Sequence, residues 1–86
     1  MLEIKTSKKF KKQFSKQPLK TRNQFEERIN ILMHDFYHPF LRTHKLKGKY
    51  EGFWSINFSG DVRVIFRKKE NTIVLIEIGS HSELYS

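Results

Sequence analysis

The stretch Gly52-Phe53-Trp54-Ser55-Ile56-Asn57-Phe58-Ser59-Gly60-Asp61-Val62-Arg63-Val64-Ile65-Phe66-Arg67 alternates in polarity on both sides of a Gly-Asp turn signal. Alternation marks half-buried strands, because successive side chains leave opposite faces of a sheet. It predicts strands at about 52–58 and 61–68 joined as an antiparallel hairpin, with a third at about 72–78 after Glu70-Asn71. Trp54, Ile56 and Phe58 then share a face with Val62, Val64 and Phe66. Ser55, Asn57, Asp61, Arg63 and Arg67 fall on the other, which an antiparallel sheet can leave open to solvent.

Upstream of Tyr50 the period is helical. Leu2-Glu3-Ile4-Lys5-Thr6 reads as a short strand, and Ser7 can cap a helix from Lys8 to about Lys16, with Phe10 and Phe14 on one stripe. A second helix starts at Pro18, or at a Thr21/Gln24 capping box. It runs to His34 or Asp35 with Phe25, Ile29, Leu32 and Met33 on its apolar stripe. Pro39 stops the helical pattern, and residues 35–43 form a connection. The order β-α-α-β-β-β predicts an α+β fold, a small antiparallel sheet with two N-terminal helices on one face.

The 86 residues form a single domain, 1–86, whose chain buries roughly 60% of its unfolded surface. With no Cys there is no disulfide framework and no thiolate metal site. Neither a secretory signal nor a membrane span is visible, so a cytoplasmic location is expected. The net charge of +8 attracts polyanions: nucleic acid or the ribosome is the favoured partner class, with an acidic protein and an anionic membrane surface still open.

Four residues carry the candidate chemistry. His44 and His81 form an acid–base pair able to take a proton from a ribose 2′-hydroxyl and return one to a leaving 5′-oxygen. Such cleavage needs neither metal nor cofactor, and the scattered histidines do not make a metal motif. Arg63 is the candidate phosphate clamp, its planar fork matched to a phosphate. Asp61 either orients a histidine or simply forms the turn beside Gly60. Ser80-x-x-Glu83 is a capping box, which predicts one helical turn with His81 and Tyr85 on the same side. Tyr85 can stack on a base or plug the core edge. Lys45, Lys47 and Lys49 alternate beside His44, and with Arg67 and Asn57 they are candidate substrate contacts.

Four motifs in order, His44-Lys45-Leu46-Lys47-Gly48, Gly52-Phe53-Trp54-Ser55-Ile56, Asp61-Val62-Arg63-Val64-Ile65-Phe66 and Gly79-Ser80-His81-Ser82-Glu83-Leu84-Tyr85, resemble the RelE/ParE toxin superfamily. The similarity is greatest to its YafQ branch of type II toxins. The resemblance implies a ribosome-dependent endoribonuclease that cuts mRNA in the ribosomal A site and is neutralised by a cognate antitoxin. It implies active-site roles for His44, Asp61 and His81, an Arg63 that meets the scissile phosphate, and a Tyr85 where the branch often has Phe. Asn57 stands where the branch has a further histidine, and an amide cannot transfer a proton at neutral pH. His81 is therefore the leading acid/base and His44 its partner. Two other readings are a ParE-like inhibitor of DNA gyrase and a non-catalytic RNA-binding module.

Overall fold

The computed structural model describes residues 2–85, so Met1 and Ser86 of the expected domain lie outside the described residues. The order is β1 (Glu3–Thr6), α1 (Lys8–Ser15), α2 (Leu19–Asn23), α3 (Phe25–His34), β2 (His44–Lys45), a 3-10 turn (Gly48–Tyr50), β3 (Trp54–Ser59), β4 (Val62–Lys69), β5 (Thr72–Ser80) and α4 (His81–Tyr85). Five strands form one sheet in the order β1-β5-β4-β3-β2. The expected α+β class and the β3-β4-β5 meander are both present. The sheet is antiparallel except at one edge, where β1 lies parallel to β5.

Ser7 caps α1 as expected: its Oγ accepts from the Phe10 N–H at 3.0 Å. The same hydroxyl donates to the Ile76 carbonyl at 2.8 Å, and Gln13 Oε1 accepts from the Ile78 N–H at 2.9 Å. β1 pairs only with Thr72–Leu75, so beyond that point side chains of α1 satisfy the exposed edge of β5. The second helix is divided. The Gln24 N–H bonds Thr21 O, three residues back rather than four, and this tightened turn separates α2 from α3. Thr21 lies within α2, which starts after Pro18, so the Thr21/Gln24 capping box is not realised.

The core lies between the helices and one sheet face. Phe10, Ile29 and Leu32 meet Ile56, Phe58, Val64, Phe66, Ile73, Leu75 and Ile78, all buried. Each such side chain contributes about 1.5–3 kcal/mol. A register shift between β4 and β5 pairs Ile65 with Glu77 but Phe66 with Leu75, leaving Ile76 as the extra residue. This bulge lets Leu75 and Ile78 both face the helices while Glu77 is turned to the opposite side.

Candidate active site

Two rows of paired residues cross the face opposite the helices. One runs His44, Ser55, Ile65, Glu77; the next runs Asn57, Arg63, Gly79. Pairing across the strands, rather than nearness in sequence, therefore brings His44 beside the Asn57–Arg63 row. The face is partly roofed: Ser55 and Ile65 are fully buried beneath the tail and the Tyr50 turn.

The roof is α4, and its geometry follows from the capping box. The Ser80 N–H donates to Glu83 Oε1 at 2.8 Å, while the Glu83 N–H donates to Ser80 Oγ at 3.2 Å. Those bonds hold the exposed Glu83 carboxyl below its usual range. The His81 N–H donates to the Asp61 carbonyl at 3.1 Å, pinning the helix start to the turn before β4. Leu84 is buried, and a Cβ on Gly79 would stand 3.3 Å from both Glu83 Oε1 and Leu84 Cδ2. Glycine at 79 thus lets the tail fold back this closely. His81 and Tyr85 share a side as expected, with ring centroids 4.8 Å apart.

Tyr85 donates to Ser55 Oγ at 3.1 Å and meets the Tyr50 ring edge-on. The Tyr50 hydroxyl is 2.9 Å from Glu77 Oε2 and 3.2 Å from the Leu84 carbonyl. Burial, then the hydrogen bond to Glu77, push the Tyr50 phenol up to about 12. Burial raises the Glu77 carboxyl, but the bonds from Lys9 and Tyr50 outweigh it and hold the group below the usual range. Glu77 thus ties α1, through Lys9 and Gln13, to the roof of the site.

Arg42, His44, Leu46, Ser55, Asn57, Arg63, His81 and Tyr85 surround one open depression of about 440 Å³. Among the described residues it holds two imidazoles, two guanidiniums, an amide and a phenol, and no carboxylate. His44 Nδ1 lies 2.8 Å from the Arg42 carbonyl, which can only accept; Nδ1 therefore carries the proton and Nε2 is the accepting nitrogen of the neutral ring. Arg63 Nη1 donates to the Gly60 and Val62 carbonyls at 3.1 and 3.4 Å, which steadies the guanidinium while leaving most of its donors unused.

The other candidates fall elsewhere. Asp61 is exposed in the turn and reaches α4 through its main-chain carbonyl; among the described residues its side chain forms no hydrogen bond or ion pair. This is the turn-forming alternative. Arg67 shares the strand side of Arg63 but pairs with Val74, about 13 Å further along β4. Lys45 is turned over by the alternation of β2: it pairs with Trp54, and its Nζ lies 5.4 Å from that ring. Lys47 joins it around a separate depression with Trp54 and Lys68. Lys49 sits in the 3-10 turn over the Tyr50 ring. Alternation along the sequence had suggested a lysine path beside His44, whereas the two-residue strand sends Lys45 to the opposite face. Arg42, Tyr50 and Glu77 had no motif to announce them.

Over residues 2–86 the sequence matches the model of a family described as the bacterial toxin of type II toxin–antitoxin system, YafQ. A metal-bound toxin from Helicobacter pylori is 32% identical, with 99% of this chain and 100% of that one covered and a TM-score of 0.76. YafQ from E. coli BL21(DE3) has the same fold at 15% identity, with complete coverage of both chains and a TM-score of 0.81. The E. coli DinJ–YafQ complex matches at 17% identity and a TM-score of 0.80, again over all of both chains. No curated protein sequence matches at a significant level.

Proposed function

The chain belongs to the YafQ family of bacterial type II toxins, and from that premise we propose that it cleaves mRNA in the ribosomal A site by in-line attack of a ribose 2′-hydroxyl. The observation that carries this reading is the gathering of His44, Arg63 and His81 around one open depression. Nε2 of neutral His44 takes the 2′-hydroxyl proton as the 2′-oxygen attacks phosphorus. The bond from phosphorus to the 5′-oxygen breaks, and protonated His81 supplies the proton to that leaving oxygen. The products are a 2′,3′-cyclic phosphate and a 5′-hydroxyl. Arg63 stabilises the charge that builds on the phosphoryl oxygens, where a preorganised donor is worth most. Asn57 hydrogen-bonds the substrate, and the tethered Tyr85 ring offers a stacking surface.

The H. pylori relative is metal-bound. Among the described residues no three His, Asp or Glu side chains group to hold an ion, and the depression lacks a carboxylate. The proposed proton transfers use His44 and His81 alone. A cognate antitoxin is the proposed protein partner, as DinJ is in the E. coli complex. A ribosomal target places the protein in the cytoplasm, and among the described residues no helix is long and apolar enough to cross a membrane.

The test is inducible expression of wild type, His81→Ala and His44→Ala, with mRNA 5′ ends mapped against the reading frame. Wild type is expected to produce ribosome-dependent cuts, and each substitution to slow them roughly 10²-fold or more. Equal cutting by wild type and His81→Ala would remove His81 from the chemistry. Inhibition of gyrase supercoiling without cleavage would point to a ParE-like activity instead.

A further inference from the structure

Arg42, Asn57 and Arg63 also line a second open depression of about 480 Å³, so the groove continues past the two histidines toward the first half of α3. Arg28 and Phe40 form its far side. Of the three guanidiniums in the groove Arg28 is paired with Glu27, and Arg42 and Arg63 leave it positive. Arg42 is held at φ 50°, an uncommon conformation for a residue with a side chain and one concentrated at functional sites.

Phe40 is the unusual member. It is 54% exposed, one of the few large apolar side chains left in solvent. Its ring is nevertheless supported from beneath: the Arg28 guanidinium carbon lies 4.4 Å from the ring centroid. Arg28 is itself only 9% exposed, and its Nε donates to the Phe58 carbonyl at 2.8 Å. A buried arginine anchored to β3 thus steadies an aromatic ring whose remaining surface faces the groove. A positive track interleaved with a fixed aromatic is the construction that binds single-stranded nucleic acid, because every base has a face to stack.

We propose that this second depression is a binding subsite for the nucleotide next to the scissile phosphate, its base stacked on Phe40 and its phosphate held between Arg42 and Arg63. The assignment rests on the RNA-cleaving reading of the neighbouring depression. It makes Phe40 and Arg42 substrate-binding residues, and it gives Arg28 the task of positioning the Phe40 ring.

A hexanucleotide with 2′-O-methyl riboses cannot be cut by 2′-hydroxyl attack, so its affinity reports binding alone. It is titrated into the full chain as wild type, Phe40→Ala and Phe40→Trp at one salt concentration. The same titrations are repeated with hexanucleotides carrying a single abasic site at each position in turn. Phe40→Ala is expected to weaken the intact oligonucleotide about tenfold, and Phe40→Trp to keep wild-type affinity. One abasic position should cost wild type the same factor and cost Phe40→Ala nothing. Unchanged affinity in Phe40→Ala, or abasic effects identical in the two proteins, would overturn the subsite. Equal weakening of a polyglutamate peptide by Phe40→Ala would reassign the groove to an acidic protein segment and would also overturn it. Phe40-dependent binding by a protein that never cuts mRNA would defeat the endonuclease reading while keeping the subsite. Cleavage with unaltered binding in Phe40→Ala would do the reverse.

Discussion

Asp61 and Arg63 stand two residues apart, and the structure gives them different work. Arg63 reaches the depression with a guanidinium steadied by two carbonyls, whereas Asp61 offers α4 only its main-chain oxygen. Asp61→Asn keeps that carbonyl, so it should retain cleavage within about threefold, while Arg63→Ala removes charge stabilisation and should slow it roughly 10²-fold or more. Single-turnover rates on ribosome-bound mRNA check both; a loss in Asp61→Asn as large as in Arg63→Ala would return Asp61 to the chemistry. At this scale the sequence was legible where a motif was local. The Ser80/Glu83 box and the shared side of His81 and Tyr85 follow from helical spacing alone. Arg42 and Phe40 lie in an irregular connection, whose path no periodicity describes.

Among elements, the join between α1 and the tail carries the most consequence. Glu77 enters it because the bulge at Ile76 shifts the β5 alternation, a displacement that apolar patterning in a run as hydrophobic as Thr72–Ile78 cannot reveal. Strand existence was therefore readable, but the side to which Glu77 points was not. The Glu77 carboxyl is held below its ordinary value of 4.5, so its contribution to stability is present above that pH and fades as pH falls through the lower folded value. Tyr50 acts at the other end of the scale. Its folded value of about 12 exceeds the ordinary phenol value of 10.0, so its share is complete below pH 10 and is lost as pH rises toward 12. Glu77→Gln should lower stability at pH 7 by about 1–2 kcal/mol and flatten the acid limb of the stability curve. Urea unfolding at intervals from pH 3 to 7 measures this; an acid limb as steep as that of wild type would dissociate Glu77 from it.

For the whole molecule, the formal charge of +8 is spread over both sheet faces: Arg42 and Arg63 lie on the side of the histidines, Lys45 and Lys68 around Trp54 on the other. RNA affinity should accordingly fall linearly in log–log form with salt, at about −0.7 per neutralised phosphate on single strands. Arg42→Ser is expected to reduce the slope by about one phosphate, and an unchanged slope would mean that Arg42 meets no phosphate. Charge and class were thus legible at once, while the division of cations between faces waited on the register of a two-residue strand. The parallel contact of β1 with β5 has a consequence in time. Glu3 is partnered with Thr72, so the first strand has no sheet neighbour until a segment about 70 residues later in the chain is available. Contacts this distant in sequence form late and slow the folding of a small domain. His81 arrives later still, on a turn that needs β4 and β5 beneath it. His44, Arg63 and His81 are therefore brought together only after the strands between them have paired, so the depression they line is a late product of folding.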